Sequence, residues 1–163
     1  MEATRNQQYF DTKTDDELDV LVANAAGLTL KSLAGEGGWV DSEGALIHLQ
    51  SEFKPTSRAN FALSLLHELA ADGNVIALNT ADVMTKEDVI SIGGFPKKGT
   101  MEFPIVISPV SDVADFGVFR KTILRSISFF YIMHKNATQE ILESIFEKVE
   151  GDPSDPKSVA SYE

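Results

Sequence analysis

The chain has 163 residues, 43% of them hydrophobic and 24% charged, with no cysteine and a formal net charge of −11. A compact chain of this length buries roughly 70% of the surface its unfolded form exposes, enough for one hydrophobic core, so whole-chain disorder is excluded. The lack of cysteine removes disulfides, thiol nucleophiles and thiolate metal sites together, and the negative charge disfavours a phosphate backbone as partner.

The polar start, Met1 to Gln8, lacks the apolar stretch of a secretory signal, so the expected location is the cytoplasm. Thr14-Asp15-Asp16-Glu17 places a hydroxyl three residues before a carboxylate, which predicts a capped helix. Leu18, Leu21, Val22 and Ala25 repeat at helical spacing, and Gly27 supplies the left-handed stop. Leu28 to Leu30, Trp39-Val40 and Ala45 to Leu49 read as short strands, with Gly35 to Gly38 as a loop between them. Pro55 ends the extended piece. Thr56 or Ser57 then caps a second helix that presents Phe61, Leu65, Leu66 and Leu69 on one face and finishes at Asp72-Gly73.

Val75 to Leu78, Val89 to Ile92 and Met101 to Ile107 read as further strands, the last two forming a hairpin whose tip is Gly93 to Gly99. Thr85 to Asp88 fits either a helical turn or the start of a strand. Pro104 cannot donate to a ladder, which puts Met101 to Ile107 at a sheet edge or a bulge. A long helix is expected from about Asp112 to His134, with Val113, Phe116, Ile123, Ile127, Phe130 and Tyr131 inward and Arg120 and Lys121 at its margin. Its charges, Asp115, Arg120, Lys121 and Arg125, make it a buried amphipathic helix rather than a membrane span. A fourth helix after Asn136 carries Ile141, Leu142, Ile145, Phe146 and Val149 and stops at Gly151; Asp152 to Glu163 reads as a disordered tail. The expected architecture is one α+β domain over residues 1–151, a small mostly antiparallel or mixed sheet packed between helices.

The chemical motifs are incomplete. His67-Glu68 begins a zinc-protease pattern, but the second histidine position holds Ala71. Gly94 to Gly99 has phosphate-loop spacing, but Thr100 stands where the lysine belongs and a strand follows. No Gly-x-Gly-x-x-Gly or Gly-x-Ser-x-Gly occurs, so neither dinucleotide binding nor a nucleophile elbow has support. Paired carboxylates such as Asp15-Asp16, Glu87-Asp88 and Asp112 with Asp115 are explained by helix starts, where acids oppose the dipole. No catalytic, metal or cofactor residue is assigned, and no cofactor is expected.

The helix Asp15 to Ala26 closing on Ala26-Gly27-Leu28, Trp39, and Pro55-Thr56-Ser57 leading through Asn60-Phe61-Ala62 into Leu65-Leu66-His67-Glu68 resemble small bacteriophage proteins of the NinX-like, phage ABA-sandwich type. In that group a Pro-Ser-Thr segment precedes an Asp/Asn-Trp-Ala helix start. Here Arg58 and Ala59 intervene and Phe61 replaces the tryptophan. The resemblance covers residues 14–134 and implies an α/β sandwich of phage or prophage origin, with no catalytic residues to carry over.

The leading expectation is a non-catalytic acidic protein that engages or inhibits a host protein with a basic surface, in the manner of nucleic-acid mimicry. Its candidate contact residues are Trp39, Lys97, Lys98, Asp15, Asp16, Glu147 and Glu150. For nucleic acid the only basic patches are Lys97-Lys98 and Arg120-Lys121-Arg125, so direct binding is not expected. Two alternatives stand: a small hydrolase using His48, His67 or His134 as general base, and a self-associating module with Phe129-Phe130-Tyr131 or the final helix as its seam.

Overall fold

The computed structural model describes residues 11–82, 84–98 and 106–135. In chain order the elements are α1 (Asp15–Ala25), β1 (Thr29–Leu33), β2 (Glu36–Val40), β3 (Leu46–Leu49), α2 (Ala59–Ala71), β4 (Asn74–Asn79), β5 (Val89–Pro96), β6 (Val106–Pro109) and α3 (Phe116–Lys135). The fold is α+β, with two three-stranded antiparallel sheets of order β1-β2-β3 and β4-β5-β6. The expected fourth helix, the tail, Pro104, Glu147 and Glu150 lie outside the described residues.

Helix α1 begins where its capping box places it. Thr14 Oγ1 accepts from the Glu17 amide, and the Glu17 carboxylate accepts from the Thr14 amide, both at 3.2 Å. Gly27, at φ +82°, closes it as expected. The expected loop at Gly35 to Gly38 is instead the end of a two-residue hairpin turn, Ala34-Gly35, followed by β2. Both turn residues have positive φ, 51° and 83°, the mirror-image turn that matches strand twist.

Helix α2 corrects the expected cap. Arg58 occupies the N-cap position with no side-chain hydrogen bond, because the Thr56 hydroxyl is directed to Asp19. The second correction concerns Gly93 to Pro96, expected in a hairpin tip. These residues continue β5 and pair with β4, Gly94 opposite Ile76. A Cβ on Gly94 would lie 2.3 Å from the Val75 carbonyl oxygen, so glycine permits this approach. β5 also pairs antiparallel with β6, Ile92 opposite Val106, and β6 lies at the sheet edge.

Helix α3 is the centre of the core. Every residue from Ser126 to Met133 is buried, because α1, α2, β5 and β6 all pack against it. Its buried serines are satisfied locally: Ser128 donates to the Leu124 carbonyl, and Ser126 lies within hydrogen-bond distance of the Thr122 carbonyl and of Ser108 Oγ. Val113 and Phe116, expected inward, are 45% and 74% exposed. The helix starts later than expected, with the Asp115 carboxylate accepting from the Val118 amide, so its first turn projects beyond the core.

Trp39 and Phe53 carry the first sheet and its following loop into the same core, alongside Leu18, Val22, Leu65, Leu69, Ile90 and Ile92. Trp39 is only 2% exposed, which removes it as an exposed partner anchor. Among the described residues no helix is long and apolar enough to cross a membrane.

Candidate functional site

Two clefts flank α1. The first, of about 560 Å3, lies where the start of α1 meets β6 and the middle of α3, and holds Lys13, Asp15, Ser108, Lys121 and Arg125. Asp15 is its hub: its carboxylate pairs with Lys121 at 2.7 Å and with Arg125, while Arg125 Nη2 donates to the Lys13 carbonyl at 3.0 Å. Burial pushes the Asp15 carboxyl upward, but the two cations outweigh it and hold the group below its ordinary range. The expected partner contact Asp15 is therefore engaged internally, and so are two of the three residues of the expected basic patch. The third, Arg120, donates to the Ser57 carbonyl at 3.0 Å.

The second cleft, of about 460 Å3, opens between α1 and the β1–β2 hairpin, and differs in sign. Asp16, Asp19 and Glu36 line it against a single cation, Lys54, which pairs with Asp16 at 3.3 Å. Trp39, Phe53 and Val20 form its apolar part. Asp19 sits on the buried stripe of α1 with Leu18, Val22 and Ala23, and is 6% exposed. Its Oδ1 accepts both the Thr56 amide, at 3.0 Å, and the Thr56 hydroxyl, at 2.9 Å. Its Oδ2 accepts no hydrogen bond from a described residue and is not sealed from solvent. Burial raises the Asp19 carboxyl above its ordinary range, and the Thr56 donors and the Lys54 charge offset only part of that cost.

Asp16, expected at a contact surface, stands at the rim of this cleft with its side chain 86% exposed. Lys97 and Lys98 are exposed at the end of β5, and the Lys97 amide donates to the Gly73 carbonyl. Asp19 and Lys54 are not singled out by sequence reasoning, and Thr56 is expected there only as a helix cap. The available signal was a carboxylate within the apolar spacing of α1, flanked by Leu18 and three residues before Val22.

The histidines occupy three different elements, and neither cleft is lined by one. His48 lies on the edge strand β3 and is half-buried: it stacks on Phe53 at 4.8 Å and meets the edge of Phe61 at 5.3 Å. Burial lowers its pKa against the opposing charge of Glu52. His67 is exposed on α2. His134 stacks on Phe130 at 6.3 Å, and burial, then the Lys135 charge, lower its pKa against Asp72 and Glu68. Beside it the Tyr131 hydroxyl is buried with no hydrogen-bond partner among the described residues; burial, then the nearby Glu68 carboxylate, hold the phenol protonated. Among the described residues no group of three or more histidine or acidic side chains is arranged to hold a metal ion.

Comparison with protein-family models, curated proteins and solved structures finds no match for this chain.

Proposed function

We propose that this protein is a non-catalytic acidic binding protein that engages a partner protein through that partner's basic surface. The observation that carries the reading is the internal commitment of cations. Lys13, Lys54, Lys121, Arg125 and Lys135 each pair with a carboxylate of the same chain, and Arg120 is held by a carbonyl. The run that offered a phosphate-binding patch is thereby drawn into contacts within the chain, with Lys121 and Arg125 sharing one carboxylate, while Glu36, Glu43, Glu52, Asp88, Asp112 and Asp115 face solvent without a described cation partner. A surface of this kind attracts basic protein and repels nucleic acid.

The resemblance to small phage proteins supplies the setting: an accessory factor of phage or prophage origin, acting in the host cytoplasm, that engages or inhibits a host protein. Its carboxylates would occupy a basic groove that otherwise receives nucleic acid. The test is capture from bacterial lysate by the immobilised full chain at low salt, followed by titration of the purified captured protein. The expected result is a basic protein whose affinity weakens at least about tenfold between about 50 and about 300 mM salt, as screening of charge pairs requires. Capture of nothing by the folded chain, or an affinity indifferent to salt, would contradict the reading.

A further inference from the structure

The two faces of the first sheet have different surroundings. Trp39 and the residues paired with it, Leu30 and His48, stand on the inner face, where Trp39 enters the core. By alternation Gly38 and Val40 face outward, together with their partners Lys31, Leu49 and Leu46. A Cβ on Gly38 would lie 2.8 Å from Leu46 Cδ1 and 2.9 Å from Leu33 Cδ1, so the two leucines converge over this glycine in a diagonal that crosses all three strands. The register shift beside Val40 leaves Ile47 bulged next to Leu46. Leu33, Leu46 and Ile47 are 38%, 50% and 45% exposed, and no described helix packs closely on this sheet. Large apolar side chains grouped on one open sheet face mark a contact surface.

Two charges on the same face select what covers it. Lys31, beside Gly38, forms no ion pair with a described residue. Glu36, paired with Leu33 at the hairpin end, meets the Ser51 hydroxyl at 3.5 Å and no described cation. We infer that a second copy of this chain docks on the face, about a two-fold axis lying between the two sheets along the line from Leu33 through Gly38 to Leu46. That axis sets each leucine against its counterpart, Val40 against Leu49, and Lys31 of each copy opposite Glu36 of the other. An axis running across the strands would oppose the two Lys31 side chains, and one along β2 would press Lys31 onto Leu49, so charge complementarity selects the diagonal. The face is small: three strands about 4.8 Å apart, with residues about 3.4 Å apart along each, give a footprint well below the roughly 800 Å2 per partner of a standard interface. The net charge of −11 on each copy opposes association as well, so the dimer is a weak and reversible one.

Sedimentation equilibrium of the full chain, from about 10 µM to about 1 mM at about 150 mM salt, is expected to show a reversible equilibrium of monomer and dimer. Leu46→Glu puts a charge into the apolar diagonal and should weaken the dimer at least about tenfold, whereas D88N, on the second sheet's side of the chain, should leave it unchanged. Two charge reversals at exposed positions test the axis itself. K31E and E36K should each weaken the homodimer, and K31E/E36K in one chain should restore it. A mixture of the K31E and E36K chains should form a heterodimer tighter than either homodimer, because opposite charges then meet on both sides of the axis; net charge alone would place the mixture between the two. A chain that stays monomeric at about 1 mM, whether the face is bare or taken by another molecule, overturns the inference. So does a dimer that survives Leu46→Glu, or a mixture no tighter than its components.

Discussion

Asp15 and Asp19 lie one helical turn apart on α1 and respond to acid in opposite directions. The Asp15 carboxyl titrates below its unfolded value, so its stabilisation is present above about pH 4 and is lost as pH falls through the folded pKa. The Asp19 carboxyl titrates above its unfolded value, so the stability it confers is present at low pH and is lost as pH rises through the folded pKa. Asp15→Asn is therefore expected to cost about 1–2 kcal/mol at neutral pH after allowance for solvent screening, with the deficit closing on acidification. Asp19→Asn is expected to equal wild type in acid and to exceed it by up to about 1 kcal/mol at neutral pH. Urea denaturation of both variants between about pH 3 and pH 7 reads the two trends together; parallel trends would contradict the assignment. A third residue carries strain rather than charge. Ala34 is held at φ +51° in the β1–β2 turn, and Ala34→Asn, which creates the Asn-Gly pair that such turns favour, should stabilise the fold by about 0.5–1 kcal/mol.

Helix α3 is the centre of the core, since α1, α2, β5 and β6 converge on it and Ser126 to Met133 are all buried. Leu124→Ala should cost about 2–5 kcal/mol, read as a lowered denaturation midpoint with an unchanged slope. Thr14→Ala, which removes half of the α1 capping box, should cost about 1 kcal/mol. These two elements also mark what could be read from the sequence. The start of α1 and its stop at Gly27 were legible because capping and left-handed backbone are local chemistry. So were the inward Ile127, Phe130 and Tyr131 of α3, because apolar spacing records burial. The first turn of α3 was not: Val113 and Phe116 fit the apolar pattern, yet the Asp115 cap starts the helix past Val113 and leaves Phe116 outside the core. The course of β5 through Gly93 to Pro96 was hidden because glycine and proline normally punctuate turns, whereas here β4 approaches so closely that Gly94 can bear no Cβ. The acidic cleft was legible only as an anomaly, one carboxylate on a buried stripe, because its partner Thr56 lies 37 residues away in sequence.

Charge is what connects these parts to the proposed function. A net charge of −11 is a statement about the sum, and a sum does not say which charges reach solvent. The fold decides that by directing Lys121 and Arg125 onto Asp15, Lys54 onto Asp16, and Lys135 onto Glu68 and Asp72, at separations from 2.7 to 3.6 Å for the lysine pairs. Self-association along the buried Phe129-Phe130-Tyr131 seam has no open surface to use, since all three side chains are within the core of one chain. The most direct measurement compares equilibrium binding of the full chain to an arginine-rich peptide and to duplex DNA of equal charge, at the same low salt. Saturable binding of the peptide, weakening as salt rises, with none of the DNA, is the predicted result; binding of the DNA in preference to the peptide would contradict the account.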